Sequence, residues 1–191
     1  VATGGAKGVT AATLITWARI HGGRFLLLGR TPLEDEPASC AGATDDASLK
    51  KALLADAKAN GTPVSPAELG KQVKRILANR EVRGTLQAMQ AAGSKARYVA
   101  CDVTDAAGVA AALDQVRAAW GPITGIVHGA GVLADRYIVD KTAEQFDFVF
   151  DTKIGGLRAL FQATASDPVR LLVQFSSVAA RCGNTGQCDY A

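Results

Sequence analysis

Five short apolar runs constrain what this chain can fold into more than any other feature. Four are Phe25-Leu26-Leu27-Leu28, Tyr98-Val99-Ala100-Cys101, Ile123-Thr124-Gly125-Ile126-Val127 and Leu171-Leu172-Val173-Gln174-Phe175. The fifth is the opening Val1-Ala2-Thr3, which reads as part of a first strand. Runs this short, with little polar alternation, suit strands buried on both faces. The stretches between them carry apolar residues at helical spacing, such as Ala11, Leu14, Ile15 and Ala18. Phe146, Val149, Phe150, Ile154, Leu157 and Phe161 likewise predict one buried stripe, on a helix opened by a Thr142/Gln145 capping box. Strands alternating with helices predict an α/β fold, a doubly wound and mostly parallel sheet.

With 191 residues the chain fits one domain, 1–191, with enough length to bury a core. A net charge of +3 is too mild to argue for nucleic acid or an anionic membrane surface. No apolar run approaches the ~20 residues of a membrane span, and no signal peptide is visible. Cys40, Cys101, Cys182 and Cys188 lack CxxC spacing and a histidine-rich context, so they read as reduced thiols of a cytoplasmic protein without a metal site. Both ends look cut, as in a partial domain taken from a longer protein and truncated at each end of its sheet.

Residues 32–95 are too long for an ordinary crossover and predict a helical insertion after the second strand. Its first part, Thr31-Pro32 to Ala43 with the acidic Glu34-Asp35-Glu36, reads as an exposed loop, and Asp45 to Lys58 as a helix. Ser65-Pro66-Ala67-Glu68 is a capping box with proline at the first helical position. The helix it opens is expected to reach Gly93, with a break near Gly84. Its Lys71, Lys74, Arg75, Arg80 and Arg83 are expected to form a solvated basic face.

The residues that carry chemistry follow the strand ends. Thr3-Gly4-Gly5-Ala6-Lys7-Gly8-Val9-Thr10 is a glycine-rich turn into a helix, where backbone N–H groups and the helix dipole suit a pyrophosphate. Thr10 stands where the T-G-x-x-x-G-x-G pattern has its last glycine, which predicts slightly looser packing of helix on strand. Arg30 and Thr31 follow the second strand, and an arginine there suits the 2′-phosphate of NADPH. Asp102-Val103 ends the third strand, with the carboxylate expected at an adenine amine and Val103 against the ring. Thr104 is a candidate cap for the next helix. His128-Gly129-Ala130-Gly131 ends the fourth strand and leaves room for a cofactor; His128 itself reads as structural. Lys153 lies beside the apolar stripe, Ser177 follows the last strand, and Tyr190 stands thirteen positions beyond it.

In this order the residues resemble the ketoreductase domains of modular polyketide synthases and, closer still, of bacterial polyunsaturated fatty acid synthases. These belong to the short-chain dehydrogenase/reductase superfamily with its Rossmann-type fold. The resemblance rests on the glycine loop, His128 to Asp135, Lys153, Phe175-Ser176-Ser177-Val178-Ala179, and Gly186-Gln187 before Tyr190. It implies Tyr190, Ser177 and Lys153 as the catalytic group. Ser177 would orient a carbonyl oxygen and Tyr190 protonate it, while Lys153 supplies the cation that a phenol of pKa about 10 needs at neutral pH. It further implies NADPH and a 3-ketoacyl substrate on the phosphopantetheine of an acyl carrier protein. Other domains of the same synthase would be the remaining partners. Asp135, in Leu133-Ala134-Asp135, would mark the stereochemical class giving 3R products, and Cys182 stands where the opposite class has tryptophan. The family's asparagine falls four residues past Tyr190, outside this sequence. Two other readings stay open: a free-standing reductase with Tyr-x-x-x-Lys, and a catalytically silent reductase-fold scaffold.

Overall fold

A computed structural model describes residues 1–190. Five strands form one sheet in the order β3-β2-β1-β4-β5, and every pairing is parallel. They are β1 (Ala2–Thr3), β2 (Arg24–Gly29), β3 (Lys95–Ala100), β4 (Gly125–His128) and β5 (Leu171–Gln174). All five loops that leave the strand C-termini therefore emerge along one edge. The strand order reverses between β1 and β4, and that switch point is where a parallel sheet opens a crevice.

Three consecutive leucines show how the sheet is covered on both faces. Leu26 and Leu28 join a core with Ile126, with Val109, Leu113 and Val116 of α4 (Ala106–Trp120), and with Leu160 of α6 (Gly156–Ala163). Leu27 points the other way, towards Ala2 and Leu14 of α1 (Gly8–His21). That alternation is the period-two geometry of a strand between two helical layers. Arg117 of α4 reinforces one layer by donating to both oxygens of Asp167 and to the Ala163 carbonyl.

Two expectations about burial fail. β5 is the sheet edge among the described residues, paired with β4, and Leu172 is 44% exposed where burial on both faces was expected. The aromatic stripe does not lie inward either. On α5 (Ala143–Phe150), on α6 and on the turn between them, Phe146, Phe150, Ile154 and Phe161 are all more than a third exposed. The buried positions are Val149, Thr152, Gly156, Ala159 and Leu160. At Gly156 close approach decides which residue fits: a Cβ there would stand 2.7 Å from Val103.

Residues Thr31–Gly84 form a second compact unit. It holds α2 (Asp46–Ala59), capped by Asp45, and the larger part of α3 (Pro66–Ala91), whose Glu68 amide donates to Ser65. Cys40, Leu49, Leu53, Val73 and Ile76 make its core. The acidic and basic clusters are not independent solvated faces. Arg75 meets Glu34 at 3.1 Å, Arg83 meets Asp35 at 3.6 Å, and Arg80 holds Glu36 together with the carbonyls of Cys40 and Ala43. α3 runs through Gly84 without the expected break. No helix among the described residues is long and apolar enough to cross a membrane.

Candidate active site

The glycine loop sits at the switch point, and its glycines are there for two different reasons. Gly4 has φ +64°, a left-handed conformation, and a Cβ on it would lie 2.7 Å from the Gly129 carbonyl. Only glycine lets the turn after β1 run this close to the backbone after β4. Gly8 also has positive φ, but with open space around it, at the first residue of α1. The N-cap Lys7 makes no side-chain capping bond and the first turn of α1 holds no acidic residue. By contrast α2, α4 and α5 are each capped by a side chain. A helix N-terminus behind a glycine turn fits a bound phosphate. Thr85, which sequence reasoning missed, braces the loop by donating to the Ala6 carbonyl at 2.9 Å.

Thr10 does not loosen the packing. Its side chain is buried directly over Gly129, where an added Cβ would stand 2.5 Å from the Thr10 hydroxyl. A larger residue on the helix is matched by a missing side chain on the strand end.

Beyond the switch point, Arg30 is exposed after β2 and lies over the Phe148 ring at 5.6 Å. Thr31, the other residue singled out there, belongs to the second unit. Asp102 Oδ1 accepts from both the amide and the hydroxyl of Thr104, at 3.0 and 2.8 Å. These bonds, the amide's foremost, hold its carboxyl below the usual carboxylate range, with the charge of Arg30 adding to the effect. Thr104 is thus committed to Asp102, and Asp105 caps α4 in its place. Val103 is only 5% exposed and packs against Gly156, so its side chain is spent on the core and not open to an adenine ring as expected.

His128 is buried between two partners, with Nδ1 2.7 Å from Thr3 Oγ1 and Nε2 2.8 Å from the Lys153 carbonyl. A carbonyl can only accept, so Nε2 carries the proton and Nδ1 accepts from Thr3. Thr3 Oγ1 in turn accepts from the Ala130 amide at 3.2 Å. Burial is the main cause that pushes the imidazole pKa down, and the nearby lysine charge adds to it, which favours this neutral form.

Lys153 sits on a π-helical turn, Asp151–Gly155, between α5 and α6. Such a turn inserts a residue into the helix and is frequent at functional sites. Its ammonium donates to the carbonyls of Ala130, at 3.2 Å, and Phe175, at 2.5 Å, bridging the ends of β4 and β5. Burial lowers its pKa from the ordinary lysine value. Lys153, Ser177 and Tyr190 all line one cleft of about 260 Å³, together with Gly131, Phe175 and Asp189. Ser177 Oγ accepts from the Ala179 amide at the start of α7 (Ala179–Cys182), a short helix. Asp135 accepts from Gln187 at 2.9 Å, which joins the loop after β4 to the loop before Tyr190.

A sequence profile of the KR domain, the ketoreductase family, matches residues 1–191. The chain belongs to that family. This KR domain is 40% identical, over its whole length, to a polyunsaturated fatty acid synthase polypeptide from Thraustochytrium sp., of which it spans 7%. Among solved structures it matches an N-terminal ketoreductase from the macrolactin assembly line with a TM-score of 0.71 and 26% identity. All of the KR domain is covered there, and 30% of that chain. A short-chain dehydrogenase from Mycobacterium paratuberculosis bound to NAD shares the fold, with a TM-score of 0.68 at 21% identity, across 99% of the KR domain and 59% of its own chain. The KR domain is accordingly an oxidoreductase domain on a Rossmann-type scaffold, similar to parts of much longer synthases.

Proposed function

We propose that this domain reduces a 3-ketoacyl thioester, held on the phosphopantetheine arm of an acyl carrier protein, to the 3-hydroxyacyl thioester with NADPH. One observation supports it above the others: a lysine, a serine and a tyrosine from three separate segments line the same cleft beside the switch point. NADPH, when bound, supplies a hydride, one hydrogen with its two electrons, to the carbonyl carbon. The carbonyl π electrons move onto oxygen, and Tyr190 donates its phenolic proton there. Ser177 hydrogen-bonds the same oxygen and fixes its direction. Lys153 stabilises the phenolate that Tyr190 becomes, and its half-buried position strengthens that attraction. The glycine loop from Thr3 to Val9 would hold the pyrophosphate, Arg30 the 2′-phosphate, Asp102 the adenine amine, and Gly129 to Gly131 the nicotinamide side.

The bond between Gln187 and Asp135 joins the loop after β4 to the loop before Tyr190, and these two loops would set which carbonyl face meets the hydride. The 3R product is assigned from the resemblance, in which Asp135 marks that stereochemical class. Neighbouring synthase domains would deliver the carrier, in a cytoplasmic setting. The test uses the full-length protein with a carrier-bound, unbranched 3-ketoacyl thioester and NADPH, followed by chiral chromatography of the product. Mainly 3R-hydroxyacyl product is expected. Absence of reduction would overturn the function, favouring a silent scaffold, and mainly 3S product would overturn the stereochemical assignment.

A further inference from the structure

Lys141 and Asp189 were not singled out by any motif, yet they form the most deeply buried ion pair among the described residues. Lys141 Nζ donates to Asp189 Oδ2 at 2.5 Å and to the Ala134 carbonyl at 3.0 Å. The two side chains are 4% and 1% exposed. The other carboxylate oxygen of Asp189, Oδ1, is buried with no hydrogen-bond partner among the described residues. Lysine and aspartate ordinarily keep their charges in water, where a pair contributes little and constrains nothing. Buried charges persist only when paired, and cutting one partner leaves the other uncompensated.

The position of the pair gives it a purpose. Asp189 precedes Tyr190 directly and lines the same cleft as Lys153 and Ser177. Lys141 ends the loop after β4, just before α5. Two further links run between the same segments: the Arg136 amide donates to the Gly186 carbonyl at 3.0 Å, and Gln187 Nε2 donates to Asp135 at 2.9 Å. The Tyr190 amide donates to Gln187 within its own loop, at 3.1 Å. The loop after β4 therefore holds the tyrosine's neighbours, and through them the tyrosine.

We propose that Lys141 and Asp189 are a positioning pair, clamping the segment 183–190 so that Tyr190 is held opposite Lys153 and Ser177. Its effect on turnover rests on the reading of Tyr190 as proton donor; the clamp itself does not. Displacing a reacting group by about 1 Å costs roughly a hundredfold in rate, so a clamp beside the donor acts on turnover without touching substrate.

The experiment uses the full-length protein carrying Lys141→Arg, Asp189→Asn, or the paired Lys141→Met/Asp189→Leu, which removes both charges and leaves no orphan. Hydrogen–deuterium exchange over 183–190, melting temperature, kcat and the KM for NADPH are measured for each. The paired variant should melt near wild type while exchange in 183–190 rises about tenfold, the scale of a modest local opening. Its kcat should fall roughly a hundredfold with the KM for NADPH unchanged, and Lys141→Arg should keep most of the wild-type kcat. A purely structural pair would instead return wild-type kcat once stability is restored, and that result overturns the proposal. Should the paired variant not fold, the isosteric Asp189→Asn decides: unchanged exchange over 183–190 rules the clamp out. If the wild-type protein reduces no ketoacyl thioester, the functional reading fails, and exchange still decides the clamp.

Discussion

His128 donates its Nε2 proton to the backbone carbonyl of Lys153 across 2.8 Å, tying the end of β4 to the π-helical turn that carries the lysine. The other ring nitrogen faces Thr3, at the end of β1, so one imidazole fastens the switch point to the turn that carries Lys153. A histidine without a sequence neighbour to explain it thus has a structural partner at each ring nitrogen and no proton to transfer.

That arrangement has a pH signature. Burial lowers the folded-state pKa of His128 below 6.5, so beneath about pH 6.5 the unfolded chain binds a proton that the folded one resists. Stability then rises with pH through that window and falls as the pH drops. His128→Gln should lose about 1–3 kcal/mol at neutral pH by leaving a buried partner unsatisfied. It should also flatten the decline on acidification. Urea melts at about pH 5 and pH 8 measure both effects, and equal slopes for the two proteins would exclude the assignment.

Turnover should separate from cofactor binding at Tyr190. Tyr190→Phe in the full-length protein should lower kcat by about 100-fold or more, the scale of positioned proton donation, with NADPH affinity retained. Lys153→Met should lower kcat as well. The lysine cation is present below its folded pKa and lost above it, and burial places that pKa below 10.5, so the wild-type rate should decline on the alkaline side before the ordinary lysine range. Wild-type kcat in Lys153→Met would pass the role to a lysine four residues past Tyr190.

Cofactor choice should depend on Arg30. Its guanidinium is exposed and oriented over Phe148, at the end of β2 where a ribose phosphate would arrive. Arg30→Ala should weaken NADPH about tenfold or more, the value of one charge-assisted contact, and leave NADH little changed. Fluorescence titration with both nucleotides gives the answer, and equal losses would contradict it.

The fit of Thr10 over Gly129 predicts a coupled pair. Gly129→Ala alone should destabilise by about 1–3 kcal/mol through overpacking, since its Cβ would fall 2.5 Å from the Thr10 hydroxyl. Adding Thr10→Gly should recover most of that loss, because the two nearest clashing atoms both belong to Thr10. Additive losses in a denaturation cycle would refute the complementarity.

Features fixed by neighbours in sequence were legible; those fixed across the fold were not. The capping box at Thr142 and Gln145, the helix expected from Asp45 to Lys58 and the strand runs each depend on residues a few positions apart, and each forms. The stripe from Phe146 to Phe161 obeys helical spacing equally well, and Val149 is buried as expected. Yet Phe146, Phe150, Ile154 and Phe161 are each more than a third exposed, while Gly156 takes the place against Val103. Nothing local announces the π turn under Lys153, which adds a residue in the middle of a regular apolar period. Lys141 and Asp189, 48 positions apart, looked like any surface charges until the two loops were brought together. At Thr10 the departure from the glycine pattern was visible, but its remedy lay at Gly129, across the switch point.

The central strand also dictates when the domain can come into being. β1 is two residues long and lies between β2, which follows closely in the chain, and β4, which pairs with it through Ala2–Val127 and Thr3–His128. During synthesis from the N-terminus the glycine loop is made first, but its facing wall begins at His128, 125 residues beyond Thr3. At about 5–20 residues per second, that is about 6 to 25 seconds in which the loop has no crevice to shape. Long-range parallel pairing of this kind is slow to close, so cofactor capacity should appear late and abruptly in the nascent chain, once His128 has left the exit tunnel.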